Sequence, residues 1–479
     1  MTDAAKSEKA IPLVVDLDGT LVRSDLLHEG LLRLVSDRPD KIASLGKWLS
    51  GGKAQFKRQL AQTVTPDIES LPYDPEILRR IEAAKEDGRP VALVTASDQA
   101  YADQVAAHLG HFDEVHGSDG TRNLGGEEKA AFLTERFGKA GFDYIGDSKA
   151  DLPVWAAARH ALIVAQGHDL PAQPAEEVIQ VETAPLTTTA LIRALRPHQW
   201  LKNSLIALPM VAAFQFDGPT LWAVILAFIC FSLTASGVYV VNDLLDLPAD
   251  RRHPRKCKRP FAAGEVPIKT GILTAACLWG VSGLLALALL PWLFCAFLLI
   301  YFVITFAYSL GLKKKAVVDI CTLAALYSLR IIAGGAATGI VISPWLLAFA
   351  MFLFLALAAI KRQAEMTDLE KTDPTRVTGR PYQVEDLPII RSIAMSSGYS
   401  AVLVMALYIN SKTAGSRFEL PEALWLICPL LLYWMTRMVM VTHQGRMTDD
   451  PIVFTLRDKV SWGVGAAIVL SGLAARYGF

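Results

Sequence analysis

Two regimes of apolar patterning divide the chain. From residue 200 onward, long apolar segments recur at about 204–216, 219–241, 270–290, 292–309, 316–340, 344–360, 388–409, 422–441 and 460–476. Most approach the roughly 20 residues that a helix needs to cross a bilayer, so this half predicts about nine transmembrane helices. Before residue 190 the apolar runs are only of strand length: Ile11–Val15, Val91–Val94 and Phe142–Ile145, each ending in a polar cluster. Short, continuous apolar runs of this kind predict buried strands of an α/β domain. Residues 25–75 look helical and interrupt that pattern as an insertion. Pro171 to Leu186 holds three prolines and Thr-rich edges, which predicts a linker. The expected order is an α/β domain over 1–170 with a small helical cap at about 25–75, a linker at 171–192, and an all-α membrane domain over 193–479.

Charge orients the membrane half. The 47 basic and 47 acidic residues cancel overall. Their distribution does not: loops 246–269, 310–315, 361–387 and 442–459 carry eighteen Lys and Arg, against Lys412 and Arg417 alone in the alternate loops. The positive-inside rule then puts those four loops, and the N-terminal domain, in the cytoplasm of a multi-pass protein of the cell membrane. The opening MTDAAKSEKA has no signal-peptide core. The six cysteines show no metal spacing and read as small packing residues. Nothing in the charge pattern calls for nucleic acid, and a homo-oligomer stays open.

Candidate chemistry concentrates where the apolar run 219–241 ends. Asn242-Asp243-Leu244-Leu245-Asp246-Leu247-Pro248-Ala249-Asp250 puts three carboxylates within about 60° on a helical wheel. Pro248 ends or kinks the helix near Leu247, so Asp250 reaches the group from a turn. An Asp at bilayer depth costs roughly 2.5–3.5 kcal/mol, which makes such residues functional and partnered as a rule. Mg²⁺ is the natural partner, since it binds through one or two carboxylates and completes its shell with water and phosphate oxygens. Seven Lys and Arg between Arg251 and Lys269 suit a phosphate-rich anion carried by that metal. An ordinary acidic helix end before a basic loop would explain the cations but not the aligned aspartates.

In the first half, Asp16-Leu17-Asp18-Gly19-Thr20 closes the first strand and Thr95-Ala96-Ser97 the second. Lys129 opens a helical stretch, and Gly146-Asp147-Ser148-Lys149-Ala150-Asp151 closes the third strand. This ordered quartet resembles the haloacid-dehalogenase (HAD) phosphatase superfamily over residues 11 to about 165. The resemblance implies Asp16 as nucleophile and Asp18 as general acid and base. It also implies Thr95 and Lys129 on the phosphoryl oxygens, and a Mg²⁺ site drawn from Asp16, Asp18, Asp147 and Asp151. Asp151 could instead orient Lys129 or cap a helix.

The NDxxDxxxD run, the helix count and a polar loop after the sixth helix resemble the UbiA prenyltransferase superfamily over 193–479. The branch nearest in detail transfers phosphoribose to decaprenyl phosphate; the shared runs are Arg196–Asn203, His253–Gly264, Tyr308–Lys313 ahead of Asp319, and Lys361-Arg362-x-x-Glu365. That likeness implies Mg²⁺ on Asp243, Asp246 and Asp250, with phosphoribosyl pyrophosphate as donor and a polyprenyl phosphate lipid as acceptor. Lys202, Asn203, Asn242, His253, Lys256, Arg259, Lys313 and Lys361 would contact phosphate. The second polar loop offers Glu365, Asp368, Glu370 and Asp373 rather than the usual second DxxxD. Asp319 and Arg330, about three turns apart on one apolar helix, could be a structural ion pair. Together the halves suggest a bifunctional enzyme: the membrane half makes polyprenyl-phosphoryl-5-phosphoribose, and the phosphatase removes the 5-phosphate. The alternatives are an aromatic prenyltransferase whose phosphatase has a separate substrate, and a transporter or lipid-binding protein with a regulatory soluble domain.

Overall fold

The computed structural model describes residues 10–165, 177–182, 187–372, 382–447 and 450–478. They form two compact units: Met1–Arg196 with Tyr239–Cys277, and Pro197–Val238 with Leu278–Phe479.

The first unit is built on a six-stranded sheet of β1 (Leu13–Val15), β2 (Val91–Asp98), β3 (Glu114–Ser118), β4 (Asp143–Gly146), β5 (His160–Ala165) and β6 (Glu177–Glu182), in the order β3-β2-β1-β4-β5-β6. Every named pairing is parallel. Both faces are covered, which is why β1 reads as an unbroken apolar run. Val14 faces a core of Val94, Leu133, Phe142 and Tyr144, whereas Leu13 and Val15 face one of Leu26, Ile77, Leu93 and Val105. Between β1 and β2 lie helices Leu26–Asp37, Leu45–Ser50 and Lys53–Thr63, in the place expected of the cap. Asp25 starts the first of these by accepting the amides of Leu27 and His28. The stretch expected as a linker contains β6, paired with β5 along its whole length, and then helix Thr188–Leu195.

The second half of the chain has eight described helices long and apolar enough to span a bilayer, from Gly218–Leu245 to Lys459–Tyr477. The difference from nine lies at 204–216. That segment winds as a tight helix over Pro197–Ala207 and a six-residue helix, Leu208–Ala213. Pro209 sits in its first turn, and Phe214 ends it in the left-handed region at φ 52°. Two helices, Gly218–Leu245 and Val318–Thr338, are 67% buried over their apolar windows, whereas Ile268–Leu289 and Lys459–Tyr477 are 17% buried. The former are central and the latter present their apolar faces outward, as lipid-facing helices must. The core of the second unit runs through Ile331, Phe354, Ala356–Ile360 and Met435.

Candidate active sites

Parallel register assembles the site of the first unit. Val15 pairs with Leu93 on one side and Ile145 on the other. The residues after each of them therefore emerge together at the carboxyl edge of the sheet, where its strand order reverses and such sheets bind ligands. Asp16 follows Val15 directly, and Thr95 and Asp147 lie two residues beyond Leu93 and Ile145. Gly19 follows at φ +77°, and a Cβ there would lie 2.7 Å from the Asp147 Cγ, so only glycine lets the loop pass.

Lys129 is buried and donates to three oxygens: Asp16 at 3.0 Å, Asp151 at 3.3 Å and the Tyr144 hydroxyl at 2.7 Å. Asp151 also accepts from the Tyr144 hydroxyl at 2.7 Å and from the amide and hydroxyl of Ser148 at 3.2 and 3.0 Å. It thus both orients Lys129 and caps the short helical turn at Lys149–Asp151. Asp18 stands apart, accepting from Ser97 Oγ at 2.6 Å and the Leu26 amide at 2.8 Å, with Thr95 Oγ1 at 3.5 Å.

Among the described residues, one group of three has carboxylate oxygens all within 4.8 Å of one another: Asp16, Asp147 and Asp151. Asp18 is not in that group. Burial, followed by the neighbouring carboxylates, pushes Asp147 up to about 8. Burial also pushes Asp16 up to about 6 despite Lys129, and Asp18 to about 7 with help from Asp25. Crowded, largely buried carboxylates on one lysine leave negative charge to neutralise, so this donor set fits Mg²⁺.

The membrane-side aspartates are arranged differently. Helix Gly218–Leu245 ends before Asp246, and a six-residue helix, Leu247–Arg252, follows with Pro248 in its first turn, where proline costs nothing. Asp250 therefore sits on a short helix rather than in the expected turn. Asp243 and Asp250 are 2% and 3% exposed and share one cation. Arg259 Nη1 lies 3.1 Å from Asp243 and 2.5 Å from Asp250, and Arg196 also bonds Asp243. Burial raises the Asp250 carboxyl, with Arg259 pulling against it. Asp246 accepts from Asn242 Nδ2 at 3.0 Å. So the expected convergence of three carboxylates on a metal is not met as they stand, because Arg259 holds the place between two of them. His253 Nδ1 accepts the amides of Arg255 and Lys256, bracing its own loop, and Lys256 is exposed.

The second unit holds its own buried polar residues. Lys202 and Lys361 both reach Asp450, the latter at 3.6 Å. Burial would raise the Asp450 carboxyl, but Lys361 and Lys202 outweigh it and hold it at about 2. Asn203 donates to Ser232 at 3.0 Å and accepts from Arg330 Nε at 2.8 Å. Arg330 also bonds Tyr301 at 3.0 Å and the Leu326 carbonyl. Asp319 pairs with Arg362 at 2.5 Å across helices, so of the two it is Arg362, not Arg330 of its own helix, that compensates it. Tyr308 donates to Asp319 at 2.7 Å, and Glu365 takes the far side of Arg362. Lys313 is buried and Asp368 exposed; Asp373 lies outside the described residues.

Sequence reasoning missed Ser97, Tyr144, Arg196 and Asp450. Ser97 lay within a quoted motif, two residues beyond Thr95 on the same strand face. Asp450 had a signal in Asp-Pro, the helix-start pattern it makes as the cap of Pro451–Arg457.

Comparison with known proteins matches the profile of the UbiA prenyltransferase family to residues 204–458 and that of haloacid dehalogenase-like hydrolases to residues 13–155. The uncharacterized protein y4nM of Sinorhizobium fredii is 35% identical over 96% of this chain and 90% of its own length. The decaprenyl-phosphate phosphoribosyltransferase of Mycobacterium tuberculosis is 40% identical over 61% of this chain and 98% of its own. A UbiA homolog from Archaeoglobus fulgidus, solved with DMAPP and Mg²⁺, aligns at a TM-score of 0.46 and 19% identity, covering 58% of this chain and 98% of that one.

Proposed function

The chain belongs to the UbiA prenyltransferase family and carries a HAD-like hydrolase domain on the same polypeptide. From that premise we propose that its membrane half transfers 5-phosphoribose from phosphoribosyl pyrophosphate to a polyprenyl phosphate, and that its soluble half then removes the 5-phosphate. The observation that carries the reading is the 40% identity to a decaprenyl-phosphate phosphoribosyltransferase over nearly all of that protein's length.

In the transfer step a phosphate oxygen of the lipid attacks C1 of the ribose, and the bond from C1 to the pyrophosphate oxygen breaks. The acceptor is already an anion, so no strong base is needed. The demand is instead for positive charge around the departing diphosphate. Arg259 can supply it by leaving Asp243 and Asp250 for the phosphate oxygens. Asp243, Asp246 and Asp250 would hold Mg²⁺, which would stabilise the leaving group. Arginine suits bidentate contact with phosphate, and Lys256 the role of a point charge. Asn203, with its amide bonded to Ser232 and Arg330, is better suited to holding the second unit's own helices together.

In the hydrolysis step Asp16 attacks phosphorus and forms an aspartyl phosphate, while Asp18 gives its proton to the departing ribose 5-oxygen. Asp18 then takes a proton from the water that attacks the aspartyl phosphate, releasing inorganic phosphate and restoring both side chains. Ser97 and the Leu26 amide hold Asp18 for both transfers. Lys129 and Thr95 hold the phosphoryl oxygens, with Tyr144 and Asp151 fixing Lys129. Mg²⁺ on Asp16, Asp147 and Asp151 would neutralise the phosphate and align it. Both products face one compartment in this reading. A short tether raises the local concentration of the second site to roughly mM.

The test is donor choice. Purified protein with polyprenyl phosphate and labelled phosphoribosyl pyrophosphate is expected to make a labelled lipid. If label enters lipid only from prenyl diphosphate offered with an aromatic acid, the chain is an aromatic prenyltransferase instead.

A further inference from the structure

Within the first unit, the short helix that carries Asp250 is joined to the phosphatase cap by an ion pair that neither reaction uses. Arg251 donates through Nη2 and Nη1 to the two oxygens of Glu29 at 2.6 and 3.3 Å. Their side chains are 5% and 6% exposed. A forked arginine–carboxylate contact fixes direction as well as distance. Arg251 Nε points back to the Ala262 carbonyl at 3.4 Å, which ties the pair to its own loop.

Glu29 is also tied to the phosphatase centre. Ser24 Oγ donates to Glu29 at 2.5 Å, the Ser24 carbonyl accepts the Gly19 amide at 3.1 Å, and the Leu26 amide donates to Asp18 at 2.8 Å. Residues 19–29 thus form one bonded segment with Asp18 at one end and Arg251 at the other. Two further contacts bring the same surfaces together. Gly264, at φ +71°, passes so close to Arg23 that a Cβ would lie 2.8 Å from its Cβ and 2.9 Å from its carbonyl oxygen. Arg252 reaches Asp67 at 2.7 Å, an exposed contact worth little by itself.

We propose that Arg251, through Glu29, is a latch by which the short helix bearing Asp250 seats itself on the phosphatase and orders the segment that positions Asp18. The two centres then work docked rather than loosely tethered. Arg251 is a positioning residue, since it touches neither substrate. The inference rests on the phosphatase reading above only for its activity arm.

The experiment uses the full chain in detergent or nanodiscs, with p-nitrophenyl phosphate as probe, and compares wild type, Glu29→Ala, Arg251→Ala, the double variant and Arg251→Lys. Amide hydrogen exchange of residues 19–29 is read on the same samples. The latch predicts that each single alanine variant lowers kcat about tenfold with little change in KM. It predicts that the double variant loses no more than the worse single, because the pair acts as a unit. Arg251→Lys, which keeps the buried Glu29 compensated and so guards against a folding artefact, is expected to fall in between. In all of them residues 19–29 exchange faster than in wild type. Unchanged exchange at 19–29 in Arg251→Lys and Arg251→Ala, or losses that multiply in the double variant, would overturn the latch. A wild-type chain unable to hydrolyse the probe would instead sink the phosphatase reading, with the exchange data still deciding the latch.

Discussion

Arg259 rests on Asp250 at 2.5 Å, its Nη1 shared with Asp243 at 3.1 Å. A cation already occupies the ground between two carboxylates proposed to hold another. Arginine in this place answers the cost of burying both aspartates, and it leaves the donor's arrival to exchange one positive charge for another. Arg259→Ala is therefore expected to bind Mg²⁺ more tightly without donor, by calorimetry, while transfer falls by about a hundredfold or more, the usual scale for one lost charge stabiliser. Weaker Mg²⁺ binding in the variant would show that Arg259 supports the metal site rather than closing it.

Lys129 pairs with both Asp16 and Asp151. Lys129→Ala removes the compensation from two buried carboxylates and the group proposed to hold the phosphoryl oxygens. Hydrolysis is expected to drop by at least about a hundredfold, and the phosphatase domain to lose about 3–5 kcal/mol on the scale of a broken buried pair. Thermal unfolding and aryl-phosphate kinetics on one preparation measure both.

Burial and crowding raise Asp16 to about 6 and Asp147 to about 8 without metal. Raised values mean that both carboxyls keep their protons to higher pH than usual, and a metal must displace those protons to bind. Mg²⁺ affinity at this site is expected to rise as pH climbs from about 5.5 to 8.5, with proton release that shrinks toward the upper end. Titration in buffers of different ionisation enthalpy reads the release directly. A flat affinity across that range would contradict the assignment of these carboxylates as ligands.

Asp319 and Arg362 are 0% and 1% exposed at their side chains and meet at 2.5 Å. Replacing only Arg362 with Leu strands a buried carboxylate, and a loss of about 3–5 kcal/mol is expected. Replacing both with Leu should recover much of the stability. Thermal melts of the detergent-solubilised variants separate a structural pair from a functional one: restored melting with restored transfer marks it as structural.

How much of this could be read in the sequence depended on reach. Most of the phosphatase quartet was legible because three of its motifs sit at the carboxyl ends of strands, and parallel pairing carries those ends to one edge, where Lys129 joins them from a helix. Ser97 and Tyr144 were harder, being ordinary strand residues whose duties appear only when Asp18 and Lys129 are in place. Pro248 was read as a helix end, which it is, but proline in the first turn also opened a new short helix that carries Asp250. In the membrane half, periodicity found the spans but not their partners. Asp319 takes Arg362, 43 positions away and on another helix, and Asp243 takes Arg196 and Arg259. Nothing local encodes such choices. The segment 204–216 was apolar enough to count as a span, yet Pro209 and the left-handed Phe214 close it after six helical residues. The strand at Glu177–Glu182 went unread because the prolines around it outweighed its alternation.

The central claim is that one chain makes a 5-phosphorylated lipid-linked ribose and then strips its phosphate. Mass spectrometry of the lipid products decides it, using membranes that carry wild type or Asp16→Asn with polyprenyl phosphate and phosphoribosyl pyrophosphate. Wild type is expected to yield polyprenyl-phosphoryl-ribose, and Asp16→Asn to stop at the 5-phosphorylated lipid. Identical dephosphorylated product from both, or no pentose on the lipid from either, would contradict the account.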